Sequence, residues 1–163
     1  MTLKEQLESD LRDAMRASDE TRKSTLRMLI SAVRNAEIPP ETKAEAEAPL
    51  AEDPRRELDD DGVVRVVQRE VKQRRDSIEE FKKGNRQDLV DKEEAELAVL
   101  TGYLPAQMSR DEIVAAARAV IERVGAKGPA DKGKVMPVVI GELRGKADGS
   151  EINAVVTELL AST

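Results

Sequence analysis

The residues best equipped for chemistry in this sequence are six cations set among glycines: Arg123, Lys127, Lys132, Lys134, Arg144 and Lys146. Only Asp131, Glu142 and Asp148 oppose them between Arg123 and Asp148, which leaves a local excess of positive charge. Gly125, Gly128, Gly133, Gly141, Gly145 and Gly149 punctuate the same stretch. Glycine lets a backbone approach a phosphate closely, and N–H groups at a helix start favour an anion. Lys132, Gly133, Lys134, Arg144, Gly145 and Lys146 are therefore candidate contacts to phosphate groups. The structural alternative makes the glycines turns and C-caps, and the lysines a solvated face. Backbone phosphate contacts in any case carry little sequence information.

Three other constellations are chemically suggestive. Arg22, Lys23, Arg27, Arg34, Arg69, Lys72, Arg74 and Arg75 form a second basic set, with Asp19, Glu20, Glu70 and Asp76 close enough in sequence to pair with them. Internal ion pairing accounts for this set more simply than an additional phosphate-facing surface. Glu93, Glu94 and Glu96 have the types needed for a carboxylate metal site or an acid/base pair. Helical di-iron bundles, however, pair such glutamates with histidine, and this chain has no histidine. An ion-paired or solvated face explains them better. Arg74 falls where a buried apolar residue is expected; it can snorkel from a core edge or pair with a carboxylate.

The residue types withheld are equally informative. The 163 residues include no cysteine and no histidine, and only one Tyr and one Phe. Thiolate nucleophiles, disulfides, the usual neutral-pH general base and the commonest metal ligands are thereby removed. Aromatic platforms for stacking unpaired bases are missing too. Gly133-Lys134 is followed by Val135, so it is not the glycine–lysine loop of nucleotide hydrolases, and no serine sits in a strand–turn–helix elbow. We expect no cofactor and no metal. The net charge of −6 argues mildly against unspecific nucleic-acid binding by the whole chain, but acids and bases balance from Tyr103 onward, eight against eight. No apolar run approaches the roughly 20 residues that span a bilayer. The polar start, Met1-Thr2-Leu3-Lys4-Glu5, lacks an apolar signal segment. These features lead us to expect a cytoplasmic protein.

Helices must position all of these groups. Leu3, Leu7, Leu11 and Ala14 share one face of a first helix, starting near Thr2 and ending near Ala17. Ser18-Asp19 turns the chain into a second, with Leu26, Leu29, Ile30 and Val33 inward, stopping before Pro39-Pro40. Residues 39–58 hold four prolines and few large apolar side chains, and we expect a mobile loop. Asp59-Asp60-Asp61 suits the positive end of a long helix reaching about Lys83, with a heptad seam of Val64, Val67, Val71, Ile78 and Phe81. Gly84-Asn85 stops it, and a fourth helix follows from about Arg86 to Leu100 with Leu89, Val90, Leu97 and Leu100 inward.

Beyond a natural boundary at 102–108, Ser109-Arg110-Asp111-Glu112 is a capping box opening a fifth helix. Ile113, Ala117, Val120, Ile121 and Val124 form its apolar side, and Gly125 closes it. Two shorter helices follow at about 131–143, with Met136, Val139, Ile140 and Leu143 inward, and at 149–161. No stretch alternates with period two long enough to make a strand. The expected architecture is all-α: an N-terminal four-helix domain over 1–102 and a small C-terminal three-helix domain over 109–163.

Several of these stretches together resemble the YqeY family, also described as GatB/YqeY-like proteins. They are Arg22-Lys23-Ser24-Thr25-Leu26-Arg27-Met28-Leu29, then Gln68-Arg69-Glu70-Val71-Lys72-Gln73-Arg74-Arg75, then Lys92-Glu93-Glu94-Ala95-Glu96-Leu97. Tyr103-Leu104-Pro105-Ala106-Gln107-Met108-Ser109, Gly133-Lys134-Val135-Met136 and Gly145-Lys146-Ala147-Asp148-Gly149 complete the series. The resemblance implies a C-terminal domain similar to the tail of the B subunit of the tRNA-dependent amidotransferase. That tail grips the tRNA elbow, while glutamine hydrolysis and amide transfer occur in other domains, which have no counterpart here. Two features depart from the family pattern. The loop 39–58 is long, and Pro137 should either delay the start of the sixth helix to about Lys134 or kink it.

On this basis we expect a non-catalytic accessory protein that binds tRNA or a tRNA-handling protein. Lys132, Lys134, Arg144 and Lys146 would touch the RNA backbone. The competing readings are a carbon–nitrogen ligase using glutamine as amide donor and a helical protein-interaction module. A ligase needs an amidase nucleophile and an ATP site, and the sequence offers neither.

Overall fold

A computed structural model describes residues 1–38 and 57–162 of the chain. These residues are helical with no strand among them, as the all-α reading requires. They divide into two compact units, Met1–Tyr103 and Leu104–Thr163. The expected loop 39–58 lies outside the described residues up to 56.

In the first unit, α1 (Leu3–Arg16) and α2 (Glu20–Glu37) pack on one another, as do α3 (Asp60–Lys83) and α4 (Gln87–Thr101). Helix α2 also touches both α3 and α4. Capping side chains set most of the starts. The Thr2 hydroxyl accepts the Glu5 N–H while the Glu5 carboxylate accepts the Thr2 N–H; Asp19 and Asp59 accept from Arg22 and Gly62. Asp60 and Asp61 lie in the first turn of α3, where the helix dipole favours negative charge. The turns between hairpin helices use Ser18 and Asn85, each at φ 54, a left-handed conformation that a short polar side chain tolerates.

Leu7, Leu26, Leu29, Val63, Val67, Val90 and Leu100 are at most 1 % exposed and form the centre of this unit. Burying a side chain of this size contributes about 1.5–3 kcal/mol. The seam of α3 departs from the expected phase. Val63, Val66, Val67, Val71 and Ile78 are buried, whereas Val64 and Phe81 are only half-buried. Val63, Val64, Val66 and Val67 all lie near the helix start, so the sequence alone leaves its rotation open; packing against α1, α2 and α4 settles it on Val63. Ile30, Leu89 and Leu97 are likewise half-buried at the edges of their predicted stripes.

Polar contacts tie distant segments of this unit together. Lys4 Nζ lies 2.6 Å from Glu37, whose carboxylate also accepts the Leu58 N–H at 3.0 Å, and Asp60 accepts the Leu3 N–H at 2.9 Å. The Glu37 carboxylate raises the Lys4 pKa above its ordinary value. At the far end, the Tyr103 hydroxyl donates to Asp10 at 2.6 Å, with Arg22 3.7 Å from the same carboxylate. Burial first, and the Asp10 hydrogen bond second, push the Tyr103 pKa up to about 12.

That shift favours the neutral phenol in the folded state, so the stability it represents is present below pH 10 and is lost as pH rises toward 12. Tyr103 is the sole tyrosine, which makes this measurable without deconvolution. Absorbance at 295 nm should titrate near pH 12 in the native protein and near the ordinary value of about 10 in urea. Asp10→Asn should recover only part of the difference, because burial is the larger cause. A native midpoint at 10 would contradict this arrangement.

In the second unit, α5 (Arg110–Val124), α6 (Lys132–Glu142) and α7 (Gly149–Ala161) each pack on the other two. A 3-10 turn, Pro129–Asp131, leads into α6. Ile113, Ala117, Val120, Val135, Val139, Leu143, Ile152, Val155, Val156 and Leu160 make the core. Val135 belongs to it although the predicted stripe omitted it, while Val124 and Ile140, expected inward, are 36 % and 39 % exposed. The Ser109–Glu112 capping box is present, and Gly125 closes α5 at φ 70.

Pro137 lies within α6, which starts at Lys132 and continues through it to Glu142, so the expected delay to Lys134 does not occur. Proline removes one intrahelical bond and crowds the carbonyl four residues back, here that of Gly133. Its ring is solvent-exposed, while Val135 and Val139 on the buried face hold the segment against α5 and α7. Tertiary packing of an apolar face outweighs local propensity in such short helices.

Candidate nucleic-acid interface

The candidate residues fall into two groups within the second unit. Lys132, Gly133 and Lys134 form the first turn of α6. Helices α5 and α7 begin with their own side-chain caps, from Ser109 and Asp148, whereas α6 has none. Gly133 is exposed, and a Cβ built there would meet nothing within 4 Å, so its backbone is open to an approaching group. One acid guards this end. The Asp131 carboxylate accepts the Lys127 N–H at 2.9 Å and lies 3.5 Å from Lys134 Nζ. The Lys127 N–H, and then Lys134, hold the Asp131 pKa below its ordinary value. Lys132 makes no ion pair among the described residues.

Arg144, Gly145 and Lys146 form the turn between α6 and α7. Arg144 and Lys146 are exposed and make no ion pair among the described residues, whereas Gly145 is buried at φ 80. Its carbonyl accepts Gln107 Nε2 at 2.8 Å, and the Lys146 carbonyl accepts the Met108 N–H at 2.9 Å. Glycine is thus required at 145 by a left-handed turn tied to the segment before α5, and its backbone is already engaged. Gln107 and Met108 were legible in the sequence only as part of a motif; the structure gives them the task of holding this turn.

The two groups sit at opposite ends of α6. From Lys134 to Glu142 the axis rises about 12 Å at 1.5 Å per residue, and Arg144 and Lys146 lie beyond that end. The arrangement brings together Lys132 with Lys134, and Arg144 with Lys146, but not all four at one point. It can meet well-separated phosphates along a polymer; it is too extended to enclose one small anion. Of the unit's other cations, Arg110 lies 2.5 Å from Glu158 and Arg123 pairs with Glu142, while Arg118 and Lys127 are exposed and form no ion pair among the described residues.

The basic set of the first unit divides as sequence proximity alone could not predict. Arg22, Lys23 and Arg34 have carboxylate partners in Asp10, Glu20 and Glu8, respectively. Arg74 is 7 % exposed and lies among three carboxylates, Glu70 at 2.9 Å, Glu96 at 3.4 Å and Glu93 at 3.9 Å, with Met28 Sδ 2.9 Å from its guanidinium. Its Nε faces Glu96 and Glu93 at ion-pair distance without a hydrogen bond. This network joins α2, α3 and α4. The sequence allowed Arg74 a carboxylate partner and Glu93 and Glu96 an ion-paired face, but nothing in it joined the two; the network explains why Glu93 and Glu96 face inward. No group of three or more acidic, His or Cys side chains among the described residues could hold a metal ion.

The sequence profile of the family described as Yqey-like protein matches residues 4–160. Fungal proteins named "Altered inheritance of mitochondria protein 41, mitochondrial" are similar to the chain. The protein of Lachancea thermotolerans is 39% identical over 98 residues, 60% of this chain and 46% of its own length. That of Kluyveromyces lactis is 37% identical over 109 residues, covering 66% and 52%. That of Pyrenophora tritici-repentis is 31% identical over 150 residues, covering 89% and 73%. The chain spans about half the length of the first two. Their names overturn the expectation of a cytoplasmic protein, which rested on composition and on the polar first residues; neither distinguishes one aqueous compartment from another.

Proposed function

This chain belongs to the YqeY-like protein family, and from that premise we propose that it is an accessory protein whose second unit binds the phosphate backbone of tRNA. The observation that carries this reading is the pair of cationic groups flanking α6. Lys132, Arg144 and Lys146 have no carboxylate partner among the described residues, and Lys134 has one loose partner at 3.5 Å. The start of α6 has no side-chain cap, and its helix dipole favours an anion. The resemblance to the tail of an amidotransferase subunit that grips tRNA supplies the identity of the polymer. Without aromatic stacking groups on this surface, contact is to backbone shape and charge rather than to bases.

The test is a titration of the full chain with labelled tRNA across a salt series. Four phosphate contacts from this unit release counterions on binding and contribute about −3 to the slope of log K against log salt, so the full chain should show a slope at least that steep. No detectable binding at 50 mM salt, or a slope near zero, would overturn the proposal.

A further inference from the structure

We propose that the outer face of α3 in the first unit is a second surface for an RNA backbone, specifically that of a double helix. The inference rests on the RNA-binding reading above and extends it to residues that reading does not use.

Arg65, Arg69, Lys72 and Arg75 are all exposed, and none forms an ion pair among the described residues. Among the described residues the side chains of this group make a single hydrogen bond, from Arg65 Nε to the Asp61 carbonyl at 3.4 Å, which leaves the outer guanidinium nitrogens open. Elsewhere on α3 the cations are neutralised: Lys82 and Lys83 pair with Glu79 and Glu80, and Arg74 is buried among acids. Unpaired cations are therefore confined to one stretch of this helix. Arg65, Arg69 and Lys72 follow an i, i+4, i+7 spacing, which places them on one face, and that face is opposite buried Val63, Val67, Val71 and Ile78. From Arg65 to Lys72 the axis rises about 10 Å, with Arg75 flanking this face. A strand of duplex DNA presents a phosphate about every 3.4 Å of axis, and at a spacing of that order the stripe faces about three phosphates. Asp61 and Asp76 mark its two ends.

The chemistry of the face selects the occupant. None of the large exposed apolar side chains lies on α3, whose apolar side is spent in the core of the unit. A helix that rests on a membrane surface needs such a side free to insert. The stripe carries no aromatic group, so it cannot stack unpaired bases. Regularly spaced cations without apolar or aromatic neighbours suit the regular phosphates of a duplex, such as the stem of a folded RNA.

The experiment compares three full-length chains: the parent, Arg69→Glu with Lys72→Glu, and Lys134→Glu with Lys146→Glu. Each is titrated with tRNA and with a plain RNA duplex over a salt series. The α3 variant should bind both probes about tenfold or more weakly at low salt. The neutral variant R69Q/K72Q, checked by circular dichroism, should lower the salt slope by about 1.5. Parental affinity and slope in both α3 variants would overturn this proposal while leaving the second unit's role intact. Loss in the α3 variants with none in K134E/K146E would instead remove the earlier reading and keep this one. A chain that binds anionic vesicles of phosphatidylglycerol but neither RNA would overturn both.

Discussion

Replacing Arg74 with alanine should lower the stability of the first unit by about 3–5 kcal/mol, the usual cost of removing one partner from a buried ionic network. The guanidinium is almost inaccessible and has Glu70, Glu96 and Glu93 within 4 Å. Without it, three neighbouring carboxylates on α3 and α4 face one another with no cation, at the contact between those helices. Tyr103, the sole tyrosine, belongs to this unit, so its fluorescence follows the unfolding of interest. With a typical urea dependence for a domain of this size, the midpoint should fall by about 2 M. Arg74→Leu combined with Glu70→Gln, Glu93→Gln and Glu96→Gln should recover at least half of the loss, because removing all the charges together leaves none uncompensated. A midpoint change in Arg74→Ala under about 0.5 M would show that the network contributes little.

Reversing Lys134 and Lys146 to glutamate should weaken tRNA binding by about 100-fold at low salt. Each reversal removes one counterion-releasing contact and adds a repulsive charge, for about tenfold apiece. The two positions are at opposite ends of α6, far enough apart for their effects to add. Single variants measured beside the double variant check that additivity. Lys134→Gln separates charge reversal from the loss of the Asp131 contact. Undiminished binding in the double variant would remove these side chains from the interface.

Much of this architecture was legible in the chain because local signals agreed with one another. Ser109 and Glu112 mark the start of α5 by their spacing alone, and Gly125 marks its end with a left-handed turn. The apolar stripe of α2, Leu26, Leu29 and Val33, follows from the helical repeat. What stayed hidden depends on the rotation of one helix against another. Val63 and Val64 are equally apolar, and only contact with neighbouring helices buries the first in preference to the second. Glu93 and Glu96 reach Arg74 across the α3–α4 contact, so their sequence neighbours Lys92 and Arg86 gave no warning. The candidate site was legible as composition but not as geometry. Its charges are evident from residue types, yet their separation along α6 depends on that helix continuing through Pro137. Gly145 illustrates the ambiguity of glycine: a residue suited to phosphate approach is instead buried in a turn that Gln107 and Met108 hold.

Amide chemical shifts of the isotopically labelled full-length protein during a tRNA titration measure directly where tRNA touches the chain. The predicted result is a salt-sensitive set of changes centred on Lys132–Val135 and Arg144–Gly149, at both ends of α6. Changes confined to other surfaces, or a spectrum unmoved by saturating tRNA at low salt, would contradict it.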